Sequence, residues 1–260
     1  KYVVLDFTSG KMIWQQEYPA EASLLDRSEV SKNVAYIYQQ NLYVTDANNK
    51  MMAVSTDGSN DLVYGQTVHR DEFGIHKGTY WSPDGKLLAY YRMDQSMVPD
   101  YPQVDIRTRM ASTYSCKYPM AGEASHQVTV GVFNPATETT TWLQAGDPTD
   151  RYFTNISWSP DSKKLFMIEL NRDQNHAVLV QYNALTGEKE GVLYEEKHPK
   201  YVEPMHGLLF LPWDDTKFIY QTQRDGYNQL YLFDLSVRQN GEEVPTQTGG
   251  TKKEYVKVTP

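Results

Sequence analysis

The 260-residue sequence predicts an all-β chain folded as a β-propeller of four-stranded blades, and three observations predict it. The first is a repeat: WSPDGKLLAYY at 81–91 returns as WSPDSKKLFMI at 158–168, with a weaker copy in LFLPWDDTKFIYQT at 209–222. The second is a recurring half-unit of strand, turn with Asp or Asn, and strand, in NLYVTDANNKMMAV, VGVFNPATETTTWL, LVQYNALTGEKEGVL and QLYLFDLSVRQNGEEV. The third is composition: 20 tyrosines and 13% aromatic residues suit a pleated, half-buried surface. Four short strands in ~40–55 residues is the period of a propeller blade.

Taken in order, KYVVLDFTSGKMIW reads as part of a blade within 1–21, and fuller blades follow at about 27–66, 75–147, 152–199 and 205–258. The second of these is longer than the rest, and the excess falls in an insertion at 93–125. In the SPDG turn, Pro presets φ, Asp bonds its own backbone, and Gly accepts positive φ. Four to five blades do not close a ring, so the single propeller region 1–260 is expected to be an arc of a larger propeller.

Charge and motif arithmetic exclude several functions. The net charge is −8 with scattered basic residues, which lacks the electrostatic footprint of a nucleic-acid binder. No apolar run approaches the ~18 residues of a membrane span. The single cysteine, Cys116, offers no internal disulfide, and the six histidines show no HxxxH spacing, so neither a metal nor a cofactor is expected. The chain opens on a strand pattern, so any export signal is expected to be removed or upstream.

Four motifs then narrow the reading: HRDEFGI at 69–75, WSPDGKLLAYYRMDQSMVP at 81–99, YPMAGE at 118–123 and RDGYNQLYLFD at 224–234. In order and approximate spacing they resemble the dipeptidyl peptidase IV family of serine peptidases, especially its bacterial members. The resemblance implies an eight-bladed N-terminal propeller over an α/β-hydrolase domain, in an exported periplasmic or cell-surface protein. It implies release of N-terminal dipeptides after Pro or Ala from peptides with a free amino terminus. No G-x-S-x-G elbow occurs in these residues, so the catalytic serine and its hydrolase domain are expected elsewhere in the parent and this chain alone is expected to be inactive. The competing reading is a stand-alone TolB-like or WD40-like propeller that serves as a binding scaffold.

The resemblance assigns Asp71 and Glu72 to the substrate's amino terminus. An ammonium has three N–H donors and no acceptor, so convergent carboxylates pair its charge and accept several bonds. Neighbours on a strand point to opposite faces, so HRDEFGI must leave the sheet as a loop or short helical turn, which Gly74 eases. The rival pairs Glu195-Glu196 and Glu242-Glu243 read as solvated loop charges. Tyr118 reads as structural. The insertion, with its hairpin-like MVPDYPQVD, is either a homodimer contact, as in relatives, or an exposed hairpin. Asn155-Ile156-Ser157 is formally a glycosylation sequon.

Overall fold

The computed structural model describes residues 1–238 and 255–258. Among these residues the regular structure is antiparallel β-sheet with two short 3₁₀ turns. A two-stranded sheet of β1 (Tyr2–Leu5) and β2 (Met12–Gln16) comes first, then a sheet of β3 (Ser23–Arg27), β4 (Val34–Tyr38), β5 (Asn41–Thr45) and β6 (Met51–Ala53). The next sheet holds β7 (Leu62–Tyr64), β8 (Thr79–Trp81), β9 (Leu88–Asp94), β12 (Gln127–Asn134) and β13 (Thr139–Trp142). Between β9 and β12, the insertion forms its own hairpin from β10 (Asp100–Asp105) and β11 (Ser112–Lys117). Two four-stranded sheets complete the series: β14 (Arg151–Trp158), β15 (Lys164–Asn171), β16 (His176–Asn183) and β17 (Lys189–Lys197), then β18 (Leu209–Leu211), β19 (Asp214–Thr222), β20 (Gln229–Asp234) and β21 (Tyr255–Lys257).

Successive sheets pack face to face, and the alternation of side chains along the second strand of each sheet shows how. Leu88 and Tyr90 of β9 join Ala35, Leu42 and Val44 of the preceding sheet, while Ala89 and Tyr91 join Phe153, Leu165 and Met167 of the following one. In β15, Leu165 and Met167 face backward, and Phe166, Ile168 and Leu170 face forward onto Phe218, Tyr220 and Phe233. A sheet buried on both faces needs apolar residues at both parities, which is why LLAYY and LFMI read as unbroken apolar runs.

The WSPD repeat is a structural stitch. Trp81 and Trp158 end the first strands β8 and β14, at matching registers opposite Leu88 and Leu165. Each indole N–H reaches back one sheet: Trp158 Nε1 donates to the carbonyl of Tyr80 and Trp81 Nε1 to that of Asp26, both at 3.0 Å. The turns repeat atom for atom. Ser82 Oγ donates to Asp84 and accepts the Leu87 amide; Ser159 Oγ donates to Asp161 and accepts the Lys164 amide. In the third copy the register puts Phe210 at the tryptophan position, opposite Phe218, and phenylalanine has no N–H to donate. Trp158→Phe is expected to lower unfolding stability by about 1 kcal/mol, because the Tyr80 carbonyl loses its donor. A urea midpoint unchanged from wild type would show that the stitch contributes nothing.

The sequence boundary at 66 is displaced. Leu62–Tyr64, inside the segment read as 27–66, pairs with Arg92, Met93 and Asp94 of the next sheet, while Thr79–Trp81 pairs with the other half of the same strand. β7 and β8 are thus two pieces of one first strand, interrupted by residues 65–78.

Candidate functional site

The interruption is a loop with closed ends. Gly65 N–H donates to the Tyr91 carbonyl and Tyr91 N–H to the Gly78 carbonyl, so one β9 residue clamps both ends. A Cβ on Gly78 would lie 2.1 Å from the Gln66 carbonyl oxygen, a contact only glycine escapes. From this base HRDEFGI projects as a 3₁₀ turn, His69–Asp71, so the acidic motif does leave the sheet. Its backbone is left-handed at His69, Arg70, Asp71 and Phe73, with φ between 54° and 63°. Non-glycine residues there cost of order 1–3 kcal/mol each and persist only where surrounding structure holds them.

Three anchors hold this turn. Val68 and Ile75 are buried in the core between the second and third complete sheets, and Phe73 in the core of the next pair. Gly74, at φ +70°, lies so close to the 198–208 segment that a Cβ would meet the Met205 carbonyl oxygen at 2.0 Å. Gly74→Ala should therefore cost about 1–3 kcal/mol from the backbone alone, with the clash added to it. Thermal unfolding checks this, and a melting temperature equal to wild type would refute the close approach.

The third anchor is a pair of buried histidines. His69 Nε2 accepts the Phe153 amide at 3.2 Å, so its proton is on Nδ1 and is donated to His126 Nε2 at 2.7 Å. Tyr152 stands edge-on to His69, with ring centroids 4.9 Å apart. Burial holds His69 well below the usual imidazole range, aided by His126 and Arg172. Burial, then Arg172 and Arg70, lower His126 to about 4. Both imidazoles are neutral at pH 7. Nothing in the sequence pairs these residues, which lie on opposite sides of the insertion.

Over this pair opens a polar cavity of about 290 Å³, lined by Arg70, Glu72, Tyr118, Ser125, His126, Tyr152 and Arg172 among others. Glu72 is exposed and lines it; Asp71 is exposed and lies outside the lining. The structure thus separates the two candidate carboxylates, because Asp71 is left-handed and Glu72 extended. Tyr118, read as structural, also joins the wall: Arg70 stacks on its ring at 4.7 Å and donates to the Lys117 carbonyl. The insertion and the acidic turn therefore make one site. Larger cavities exist, such as one of about 480 Å³ at Ser159, Phe166 and Phe210, where Lys164 and Glu190 are paired with each other.

The rival pairs fare differently. Glu196, read as a solvated loop charge, is buried within β17 and accepts from Thr222 and Tyr194, while Glu195 pairs with His176 and Lys197. The period-two alternation of a strand sends one carboxylate inward and its neighbour outward. Glu242-Glu243 lies outside the described residues. Asn155 is buried, and its amide donates to the Pro204 carbonyl, so the sequon's side chain is occupied in the fold. No three His, Cys, Asp or Glu side chains converge on a metal position among the described residues.

The model of the dipeptidyl peptidase IV N-terminal region matches residues 1–256. The chain belongs to this family. It is 53% identical to a Bacteroides ovatus protein of known structure assigned as a dipeptidyl aminopeptidase IV, with a TM-score of 0.85 over 99% of this chain and 36% of that one. Porphyromonas gingivalis dipeptidyl peptidase 4 shares the fold, with a TM-score of 0.77 at 24% identity over 94% of this chain and 33% of that one. A dipeptidyl-aminopeptidase B assigned in Phaeosphaeria nodorum is 25% identical over 256 residues, which are 86% of this chain and 28% of the relative. The chain spans about a third of the length of the proteins it matches. The four-stranded sheets are accordingly blades of this family's propeller. No helix among the described residues is long and apolar enough to cross a membrane.

Proposed function

We propose that this propeller region captures the free amino terminus of a peptide for a serine-type dipeptidyl peptidase whose α/β-hydrolase domain lies in the rest of the parent protein. Glu72 is the principal acceptor, and Asp71 adds negative charge beside it. The observation that carries the reading is Glu72 on a strained, triply anchored turn at the wall of a small polar cavity, in a chain of this family. A strained backbone held by buried anchors is how a binding group is pre-organised before its ligand arrives. The cavity lies at the lower end of the ~300–1,000 Å³ usual for ligand pockets, which suits a chain end better than a chain middle.

On this reading the parent releases N-terminal dipeptides with Pro or Ala at the second position and acts outside the cytoplasm, in the periplasm or at the cell surface. The β10–β11 hairpin exposes Tyr101, Val104 and Tyr114, apolar area that suits contact with a second copy. The test is kcat/KM of the full-length protein on a dipeptide-releasing substrate with a free terminus and on its N-acetylated twin. Acetylation removes the charge and should abolish measurable cleavage. Equal rates would overturn amino-terminal capture, and no cleavage of either would favour a binding scaffold.

A further inference from the structure

The cavity holds more positive charge than the capture of an ammonium needs. Arg70 and Arg172 both line it, and neither has a carboxylate within ion-pair distance among the described residues. Glu72 is likewise in no ion pair there, so the wall presents two guanidiniums to one carboxylate. The two histidines between them are neutral and do not change this balance.

Both guanidiniums are mounted for recognition. Arg70 lies over the Tyr118 ring and Arg172 over the Tyr152 ring, at 5.6 Å for the latter. Stacking on Tyr118 occupies the face of the Arg70 guanidinium and leaves its in-plane N–H donors, of which Nη1 serves the Lys117 carbonyl; Arg172 spends Nη1 on the Tyr152 hydroxyl and keeps its other donors. The remaining edges are the geometry that binds carboxylates bidentately. Beside them, Ser125 Oγ is buried, lines the same cavity and has no hydrogen-bond partner. Buried polar atoms are ordinarily satisfied, so this hydroxyl holds an unused donor beside the cavity.

The geometry points to a carboxylate subsite, formed by Arg70, Arg172 and Ser125, that takes an acidic side chain on the first residue of the peptide whose amino terminus meets Glu72. This rests on the proposed capture of the amino terminus and deepens it by naming the substrate class. One residue carrying both an ammonium and a side-chain carboxylate answers both signs of the wall at once. A basic first residue meets two uncompensated guanidiniums and is disfavoured.

The test uses the full-length protein and chromogenic dipeptide substrates with free termini: Glu-Pro, Lys-Pro, Glu-Ala and Lys-Ala. Glu-Pro should exceed Lys-Pro at least tenfold in kcat/KM, and Glu-Ala should exceed Lys-Ala likewise. Arg172→Gln and, separately, Arg70→Gln should each lower the Glu-Pro to Lys-Pro ratio at least fivefold. The ratio is read within one protein, so partial loss of folded enzyme leaves it unchanged, and Arg70, exposed on its turn, provides the variant least coupled to folding. A Glu-Pro to Lys-Pro ratio near one, a ratio that neither variant moves, or preference for Lys-Ala over Glu-Ala overturns the subsite while free-terminus dependence stands. Loss of free-terminus dependence overturns the capture reading and the subsite with it.

Discussion

Asp71→Asn combined with Glu72→Gln is expected to lower kcat/KM of the full-length protein on free-terminus substrates by between one and four orders of magnitude. The range follows from charge: truncating one side of a desolvated ion pair typically costs ~2–5 kcal/mol, since the other charge is left without its partner, and ~1.4 kcal/mol is tenfold. Both carboxylates are exposed in the free structure and make no ion pair among the described residues, so folding should change by no more than about 0.5 kcal/mol. The single variants should divide unequally. Glu72→Gln should account for most of the loss, because Glu72 lines the cavity and Asp71 does not. Activity within a few-fold of wild type at unchanged melting temperature would reduce the pair to a solvated turn, and a larger effect from Asp71→Asn would reverse the assignment of roles.

That inequality shows where reading the sequence reaches its limit. The SPDG turn was legible because its chemistry is local: a Ser, a Pro, an Asp and a Gly specify the turn within four positions, as Gly85 does at φ 71°, whereas Ser162 takes the same conformation at 62° without glycine's freedom. The tryptophan before each turn was legible as a repeat but not as a stitch, since its partner carbonyl lies one blade away. The boundary at 66 was misplaced because a first strand split by a 14-residue loop leaves only Leu62–Tyr64 on one side, too short for alternation to register. Which of two adjacent carboxylates enters a cavity depends on φ at each, and a composition of Asp next to Glu is silent about that. The histidine pair is a contact across 57 positions made by tertiary packing, with no local pattern to announce it.

Acidification should loosen the protein through that pair before it protonates the carboxylates of the turns. The sign follows from the direction of the shifts. An imidazole that is held below its ordinary value when folded binds its proton more readily in the unfolded chain, so stability is full above about pH 6.5 and is lost as pH falls toward the folded value. For His126 that window runs from about 6.5 to about 4, worth about 3 kcal/mol at its lower end, and His69 shifts in the same direction. The structural reason is donor arithmetic. Protonated His69 has no lone pair for the Phe153 amide, and protonated His126 has none for His69, while Arg172 repels either cation and Arg70 that of His126. Lowered carboxyl groups such as Asp84 and Asp161, held down chiefly by their serine hydroxyls against the opposing pull of burial, give up their stabilisation only below about pH 4, so the two phases separate. Melting temperature should therefore fall between pH 6.5 and 5 in the wild type. His126→Gln keeps an acceptor for His69 and removes one titrating ring, and its melting curve should be flatter over the same interval. A wild-type melting temperature constant from pH 6.5 to 5, or an identical slope in the variant, would mean that the buried histidines do not hold the turn that carries Glu72.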